Sequence, residues 1–568
     1  MATAAHYNQR SDCADQDAIP RLHSRPAESQ DTSTPRDDEK KQQQMGVSAR
    51  DPEAEKNYQP KTLKFWLVLL SIFVSMFLVA LDRTILATAV PRITDEFKSL
   101  GDIGWYGSAY MLSTSACQLL FGRIYRFYST RWTFLASIVV FEAGSALCGA
   151  ATNSNAFIVG RAIAGVGSAG IWTGSMMSII GMVPLHKRPM FQSLFGMVFG
   201  ISSVAGPLIG GAFTEHATWR WCFYMNLPVG LVAMTLLYMF MHPVAPKVEN
   251  TTAKQQIMRL DPLGTVFFVL STVCLLLALQ WGGSTYAWSN WRIIVLFIVC
   301  GLTGLGFAAV QIKFPETATL PVRLIKKRTL LSMTFYMFFL SGGMLLVVYY
   351  LPLWFQATKG VEPMESGIYT IALVLSIVVA SLLSGAVTQK IGYYAPSTVL
   401  SPSIAAIGCG LLTTFQPTTK SSHWIGYQFL TGFGIGLGLQ SAGLAVQATL
   451  PRNDIATGVS ITFFAQQLGG AIFVTVGQTI LSTILVQKLS GLPGLDPATI
   501  VRTGATELRL VVPPKFLDAV IEAYNYAVTR IFYACLVLAL AQLTAALFVE
   551  WRSIKPREAA PAEDAAHA

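Results

Sequence analysis

Residues 65–91 read FWLVLLSIFVSMFLVALDRTILATAVP. From Phe65 to Leu81 no charged side chain appears, and the run reaches Pro91 with only Asp82 and Arg83 interrupting it. A helix of about 20 apolar residues crosses the ~30 Å of hydrocarbon in a bilayer, so this stretch predicts a membrane span with an acid inside it. Thirteen further stretches of the same kind follow, near 105–125, 132–152, 157–180, 191–213, 221–241, 262–281, 292–312, 329–350, 367–389, 396–415, 423–447, 457–484 and 528–549. The fold class they predict is all-α and integral to the membrane, with 14 transmembrane helices.

Composition agrees with that reading. The chain has 568 residues, of which 52% are hydrophobic and 13% charged, about half the charged share of a soluble domain. Its formal charge of +10 is spread singly or in short groups between apolar runs, without the long basic block that nucleic-acid binding favours. Seven of the eight cysteines, Cys117, Cys148, Cys222, Cys274, Cys300, Cys409 and Cys535, lie in or beside apolar runs and Cys13 lies in a polar tail, so no disulfide framework or metal site is expected. Residues 1–62 are too polar to bury a core and are expected to be a disordered cytoplasmic tail. No apolar core with a small-residue cleavage site precedes the first span, which is expected to serve as the membrane signal itself.

With both ends cytoplasmic, the inner connectors carry Arg126, Arg131, Lys187, Arg188, Lys247, Lys254, Arg259, Lys313, Arg323, Lys326, Lys327, Arg328, Lys390 and Arg452. The short outer connectors carry only Arg92, Lys98, Arg220, Arg292, Lys359 and Lys420, which is the asymmetry of the positive-inside rule. The sequon Asn250-Thr251-Thr252 then falls in the cytoplasm and is expected to stay unglycosylated. A repeat supports duplication: Gly122-RIYRFY-Ser129 follows the second span and Gly385-AVTQKI-Gly392 the tenth, with one seven-residue step in each. The expected organisation is a six-helix half over 63–241, a linker over 242–328 that inserts two extra spans, and a second six-helix half over 329–550. An outer loop at 485–527 and a cytoplasmic tail at 551–568 complete it.

Charged groups inside hydrocarbon cost at least ~2.5–3.5 kcal/mol each, which makes every one a functional candidate. Asp82, Glu142 and Arg161 interrupt otherwise apolar spans. At 1.5 Å per residue, Asp82 and Arg161 lie ~9–14 Å below the outer surface and can share a level. Such a carboxylate in a low-dielectric cavity can exchange protons, as proton coupling requires; the alternative is a fixed ion pair between helices. Arg83 can neutralise Asp82 locally or snorkel outward. Glu142, near the midplane, can titrate or stay protonated and hydrogen-bond a neighbour. The fifth span carries Gly196, Gly200, Gly206, Pro207, Gly210 and Gly211, suited to close packing and bending. Gln118, Trp172, Gln440, Gln447, Phe464 and Gln467 are the candidate lining of a substrate cavity, with Gln440 and Gln447 expected on one helix face. A cavity of this kind accepts bulky, partly apolar organic molecules.

Several stretches resemble the fourteen-span drug:proton antiporters of the major facilitator superfamily, particularly fungal multidrug and mycotoxin efflux pumps. LDRTILATAVPRI is similar to that family's first-span signature, VGRAIAGVGSAGI to its fourth-span arginine motif, and GPLIGG with WRWCFYMNLPVG to its fifth-span antiporter motif and the connector after it. QWGGSTYAWSNW, YYLPLWFQATKGV and FFAQQLGGAIFVTVG resemble later stretches of the fungal members, so the likeness covers about residues 63–550. It implies the major facilitator fold, proton coupling through Asp82 and Arg161, export by exchange through the glycine-rich span, and a monomer in the plasma membrane or, alternatively, a vacuolar or vesicle membrane. The turn after the second span departs from the pattern. Arg126 stands where an aspartate is usual and Ser129 where a glycine is, so the positive charge there must find another partner.

Other functions fit poorly. No G-x-x-x-x-G-K-[ST] loop is present for a nucleotide-driven pump, and no H-E-x-x-H or paired-cysteine motif for a membrane enzyme. A channel or receptor fits duplicated halves less well. The nearest alternative is a proton-coupled importer of a siderophore or other nutrient on the same scaffold. The expected partners are protons, the bilayer and a small amphipathic or aromatic substrate, with no cofactor.

Overall fold

The computed structural model describes residues 52–99, 102–241, 252–283, 285–490 and 508–555. Most of the expected N-terminal tail, the Asn250 sequon, the C-terminal tail from 556 and residues 491–507 of the outer loop lie outside the described residues. The long helices are α1 (Leu63–Phe97), α2 (Ile103–Phe127), α3 (Thr130–Ala150), α4 (Ser154–Met182), α5 (Arg188–His216) and α6 (Asn226–Phe240). They are followed by α7 (Pro262–Trp281), α8 (Trp291–Lys313), α9 (Arg328–Trp354), α10 (Ile371–Ile391), α11 (Ala395–Leu412), α12 (Ser421–Gly438), α13 (Ser441–Thr449), α14 (Arg452–Leu489) and α15 (Pro514–Leu547).

Among the described residues, thirteen helical stretches are long and apolar enough to cross a membrane, with α12 and α13 counted as one. The fourteenth predicted span is α2, whose 25 residues are long enough but polar. Its polar side chains are used between helices. Thr114 donates to the Gly165 carbonyl at 3.0 Å, and the Gln118 amide to the Thr173 hydroxyl at 2.8 Å. In lipid, internal satisfaction of that kind is what allows a polar helix to stay in the bundle.

Helices α1–α6 pack among themselves, as do α9–α15, and α7 packs with α8 as the inserted pair. The first half meets the second through α2 on α14 and α5 on α10, while α7 also leans on α2. The repeated turn motif explains both contacts. A Cβ on Gly122 would fall 2.6 Å from Ser460 Cβ of α14, and one on Gly385 would fall 2.7 Å from Ser193 Cβ of α5. Each glycine is thus the place where one half's backbone closes on the other. Ser129 is tolerated where the second half has Gly392 because its φ is −59°, whereas Gly392 adopts φ 88°, a region favourable to glycine.

Both described ends of the chain lie at one face, here called the terminal face. Asn57 donates to Gly181 O at the end of α4, and Ile554 N donates to Gly392 O beyond α10. On the opposite, far face Glu96 accepts from Arg220 at 2.8 Å and from the Trp219 indole at 2.6 Å. The hydrogen bonds from Arg220 and then Trp219 hold the Glu96 carboxyl below its ordinary range.

The inserted pair is tied down by two buried charges. Asp261, at φ 52°, caps α7 through Gly264 N and also accepts from Gln311 Nε2 at 2.7 Å and Thr319 Oγ1 at 2.9 Å. Arg123 of α2 donates to the carbonyls of Ala318, Thr317 and Arg259.

Candidate functional site

Three helices of the first half carry the buried charges to one level. Asp82 lies well along α1 toward the far face, Arg161 in the second turn of α4, and Glu142 two turns before the end of α3. Small residues permit that approach: a Cβ on Gly144 would lie 2.3 Å from Ala164 N, and one on Gly167 2.4 Å from Phe141 N. Helices α3 and α4 therefore touch backbone to backbone on either side of Glu142.

Arg161 Nη1 lies 2.6 Å from Asp82 Oδ2, and the two side chains are 1% and 0% exposed. Arg161 Nε donates to the Tyr106 carbonyl at 2.9 Å, and its guanidinium lies 4.5 Å from the centre of the Tyr110 ring. Arg83 approaches the same ring at 5.3 Å. The expected shared level is present, and Tyr110 is a member of the cluster that sequence reasoning missed, because a tyrosine in a membrane helix carries no signal by itself.

What stands out chemically is the set of unfilled valences. Asp82 Oδ1, both carboxyl oxygens of Glu142, and Arg83 Nε and Nη2 are buried without a hydrogen-bond partner among the described residues. Glu142 sits against α6 where a Cβ on Gly230 would fall 1.9 Å from its Oε1. One turn along α3, Ser145 accepts from Asn226 Nδ2 at 3.2 Å. A buried carboxyl that lacks donors is costly when charged and much cheaper when protonated. The site therefore holds one carboxyl oxygen against Arg161 and leaves three others, Asp82 Oδ1 and both of Glu142, without donors among the described residues.

The glycines of the fifth span divide between two neighbours. A Cβ on Gly206 would meet Thr84 Oγ1 at 2.2 Å and one on Gly210 would meet Thr88 Oγ1 at 2.1 Å, both on α1 just beyond Asp82. Thr84 donates to Ser202 O of α5 at 2.9 Å. Gly196 and Gly200 face Ser381 and Val378 of α10 instead, and Gly211 faces open space. Pro207 lies inside an unbroken α5. The close packing expected of this span is thus divided between two seams, one inside the first half and one between the halves.

The candidate cavity residues scatter. Gln118 is spent on Thr173. Gln447 is buried, accepts from Gln192 Nε2 at 3.1 Å and donates to Met176 Sδ at 3.7 Å, which joins α13 to α5 and α4. Gln440 does not share a continuous helix with it: α12 ends at Gly438 and Gln440 caps α13. Trp172 and Gln467 are half-buried; the Trp172 ring centre lies 5.6 Å from both Phe199 and Phe463, and its indole nitrogen has no partner among the described residues. Phe464 lies 4.9 Å from Phe268 and lines a wholly apolar side cavity of about 290 Å³ between α2, α7, α9 and α14.

The partner expected for Arg126 is Asp454, in the first turn of α14, at 3.5 Å. Asp454 is 2% exposed and also receives both guanidinium nitrogens of Arg323 at 2.8 Å each. The acid missing from the turn is supplied by the other half. An acid opening a span in LPRNDIATG was the available signal, and it reads equally as an ordinary helix-start residue.

A family profile described as Major Facilitator Superfamily matches residues 72–474. The chain belongs to the major facilitator superfamily. It is 49% identical over 88% of its length to the MFS-type efflux pump MFS1 of Trichophyton rubrum, covering 94% of that relative. It is 46% identical to efflux pump aflT of Aspergillus parasiticus, over 89% of this chain and 99% of the relative. The rubrofusarin-specific efflux pump aurT of Gibberella zeae is 47% identical, over 88% and 92%. Among solved structures, the human organic anion transporter TETRAN has a TM-score of 0.55 at 12% identity over 85% of this chain and all of its own. The proton:xylose symporter XylE has 0.56 at 14% over 86% and 97%; at such identities the likeness is one of fold. As a major facilitator protein the chain is a multi-pass transporter of small organic molecules and not an enzyme.

Proposed function

We propose that the chain exports small, largely apolar organic molecules of the fungal secondary-metabolite kind in exchange for protons. The terminal face is cytoplasmic in this reading, and the membrane is the plasma membrane. The charge pattern of the connectors supports that orientation, and the names of the fungal relatives support efflux.

The observation that carries proton exchange is Asp82, paired with Arg161 through one oxygen and unpartnered at the other. Protonation removes the charge that holds Arg161, and the pair loses most of its attraction in a low-dielectric setting. Helix α1, which bears Asp82, rests on α5 with its Thr84 and Thr88 side chains set against Gly206 and Gly210. A change in how α1 is held is therefore passed directly to α5, the helix that meets the second half at Gly196 and Gly200. Alternating access follows from rocking of the halves about those seams.

The test is uptake of rubrofusarin into inside-out vesicles of purified protein under an imposed pH gradient, acidic inside. Accumulation is expected, with loss of gradient-driven movement in Asp82→Asn while equilibrium binding of the cargo persists. Full activity in the variant removes Asp82 from the mechanism. Accumulation with the opposite gradient only makes the protein an importer.

A further inference from the structure

The apolar cavity of about 290 Å³ beside Phe464 lies where the inserted helix α7 leans on the seam between the halves, α2 against α14. Phe268 of α7, Phe335 and Phe338 of α9 and Phe464 of α14 give it an aromatic lining. Thr334, the one hydroxyl among its lining residues, is spent on the Leu330 carbonyl at 2.7 Å. A cavity of ~150 Å³ with such a lining stays dry and holds one benzene, so this one has room for two or three fused rings. Phe335 is 49% exposed and Leu331, one turn earlier, 43%; an apolar face of that kind on a spanning helix meets lipid. Phe268 and Phe335 lie roughly 10 Å along α7 and α9 at 1.5 Å per residue, and both helices start at the terminal face. The cavity therefore opens into the hydrocarbon of the leaflet at that face.

The wall behind it is thin. On α14 consecutive residues face opposite ways: Phe464 meets Phe268 at 4.9 Å on the cavity side, and Phe463 meets Trp172 of α4 at 5.6 Å on the inner side. On α2, Leu119 lines the cavity while Gln118 bonds Thr173, the neighbour of Trp172. The Trp172 indole nitrogen has no acceptor among the described residues, so it is a free donor just behind the wall.

We propose, resting on export from a cytoplasmic terminal face, that this cavity binds the fused-ring part of the cargo as it enters from the adjoining leaflet, before it passes between α2 and α14 toward Trp172. Rings are favoured over an acyl chain by the four phenylalanines, which offer faces and edges to a flat partner. The Trp172–Phe463 pair continues that aromatic surface inward.

The experiment follows anthracene fluorescence with the full chain in phosphatidylcholine nanodiscs, against empty nanodiscs of the same lipid. A saturable component is expected, and Ala465→Phe, which fills the cavity from its α14 wall, should weaken it roughly tenfold or more at parental Tm. Ile461→Phe, one turn away on the same wall, should do likewise and decides if Ala465→Phe does not fold. Initial rubrofusarin uptake into inside-out vesicles, at a subsaturating concentration, should fall in the same variants. No saturable component, or parental binding in both filled variants, overturns the site. Displacement of anthracene by dodecane as readily as by naphthalene gives the cavity to an acyl chain, and unchanged uptake in a variant that has lost anthracene overturns the entry role. If the unvaried chain takes up no rubrofusarin, the export reading fails, while the anthracene titration still decides the ring site.

Discussion

Arg161 is held by three contacts of different kinds: the Asp82 carboxylate, the Tyr106 carbonyl and the Tyr110 ring. With both partners almost wholly buried, removing one leaves the other charged and uncompensated, which costs about 3–5 kcal/mol. Arg161→Gln should therefore lower Tm markedly, and Asp82→Asn combined with it should recover much of the loss; a double-mutant cycle by thermal unfolding reads the coupling. Equal and additive losses would mean that the pair is not coupled. Glu142 obeys a different logic, since neither of its oxygens has a hydrogen-bond partner to lose among the described residues. Glu142→Gln should keep the fold, with a Tm at or above that of the parent, and should flatten the pH dependence of transport if its carboxyl takes part in proton movement. A pH profile identical to the parent's assigns Glu142 to packing against Gly230. That Asp82 and Arg161 can share a level is legible from depth counting; that they pair is shown by the 2.6 Å contact. The orphaned oxygens were not, because the number of donors around a carboxyl depends on neighbours that four helices bring together.

Helix α5 shows how far a motif can be read and where it stops. GPLIGG announces a bare helix face, but which glycine touches what depends on the roll of α5 against α1 and α10. Gly210 has no room for a side chain beside Thr88, whereas Gly211 has open space. Gly210→Leu should displace α1 and abolish transport with a loss of several kcal/mol in stability, as overpacking does. Gly211→Leu should stay near parental in both; a matched loss at both positions, measured by transport rate and Tm, would refute the seam. Other elements escaped the sequence for a plain reason. Helices α14 and α15 run 38 and 34 residues, well past the predicted spans 457–484 and 528–549, because Arg452, Asn453 and Asp454, or Lys515, Asp518 and Glu522, end hydropathy without ending a helix. The break between α12 and α13 is hidden in the apolar run GFGIGLGLQSAGL. There Gly438 lies against Tyr336 and Ser401 so tightly that a Cβ would fall 2.2 Å from the tyrosine oxygen, and a contact with other helices is absent from a local pattern. The clamp on the inserted pair was equally silent. Asp261 looks like a routine helix cap, yet it gathers Gln311 and Thr319 as well. Asp261→Ala should strip those donors of their acceptor, cost about 1–3 kcal/mol and increase proteolysis within 252–321, while the Asp82 site stays intact by the Asp82–Arg161 cycle.

Across the whole molecule, contacts between the halves gather toward the terminal face. Gln192 meets Gln447, Arg126 meets Asp454, Gly122 meets Ser460 and Gly385 meets Ser193. Asp82, Glu142 and Arg161 lie on the far side of those contacts, inside the first half. In the proposed exchange a proton arriving at Asp82 acts at a distance from the contacts between the halves, and α1 and α5 are the elements between. The duplication visible in the turn motifs makes the arrangement intelligible, since each half offers one glycine and receives the other's serine. The ion pairs are not duplicated: Asp454 serves two arginines, while the corresponding turn of the second half carries Lys390. If separation at this face is an obligatory step, fixing it should stop the cycle without touching the proton site. The Gln192 and Gln447 side chains are in contact, so Gln192→Cys/Gln447→Cys treated with a short bis-methanethiosulfonate, which forms a disulfide with each thiol and releases sulfinate, should join α5 to α13. Transport should fall to background and return when the link is reduced, whereas the parent, which lacks the introduced thiol pair, serves as the control and should be unaffected. Turnover at the parental rate with the link verified by mass spectrometry would show that the two halves do not have to part at Gln192 and Gln447, and the rocking motion would have to be placed elsewhere.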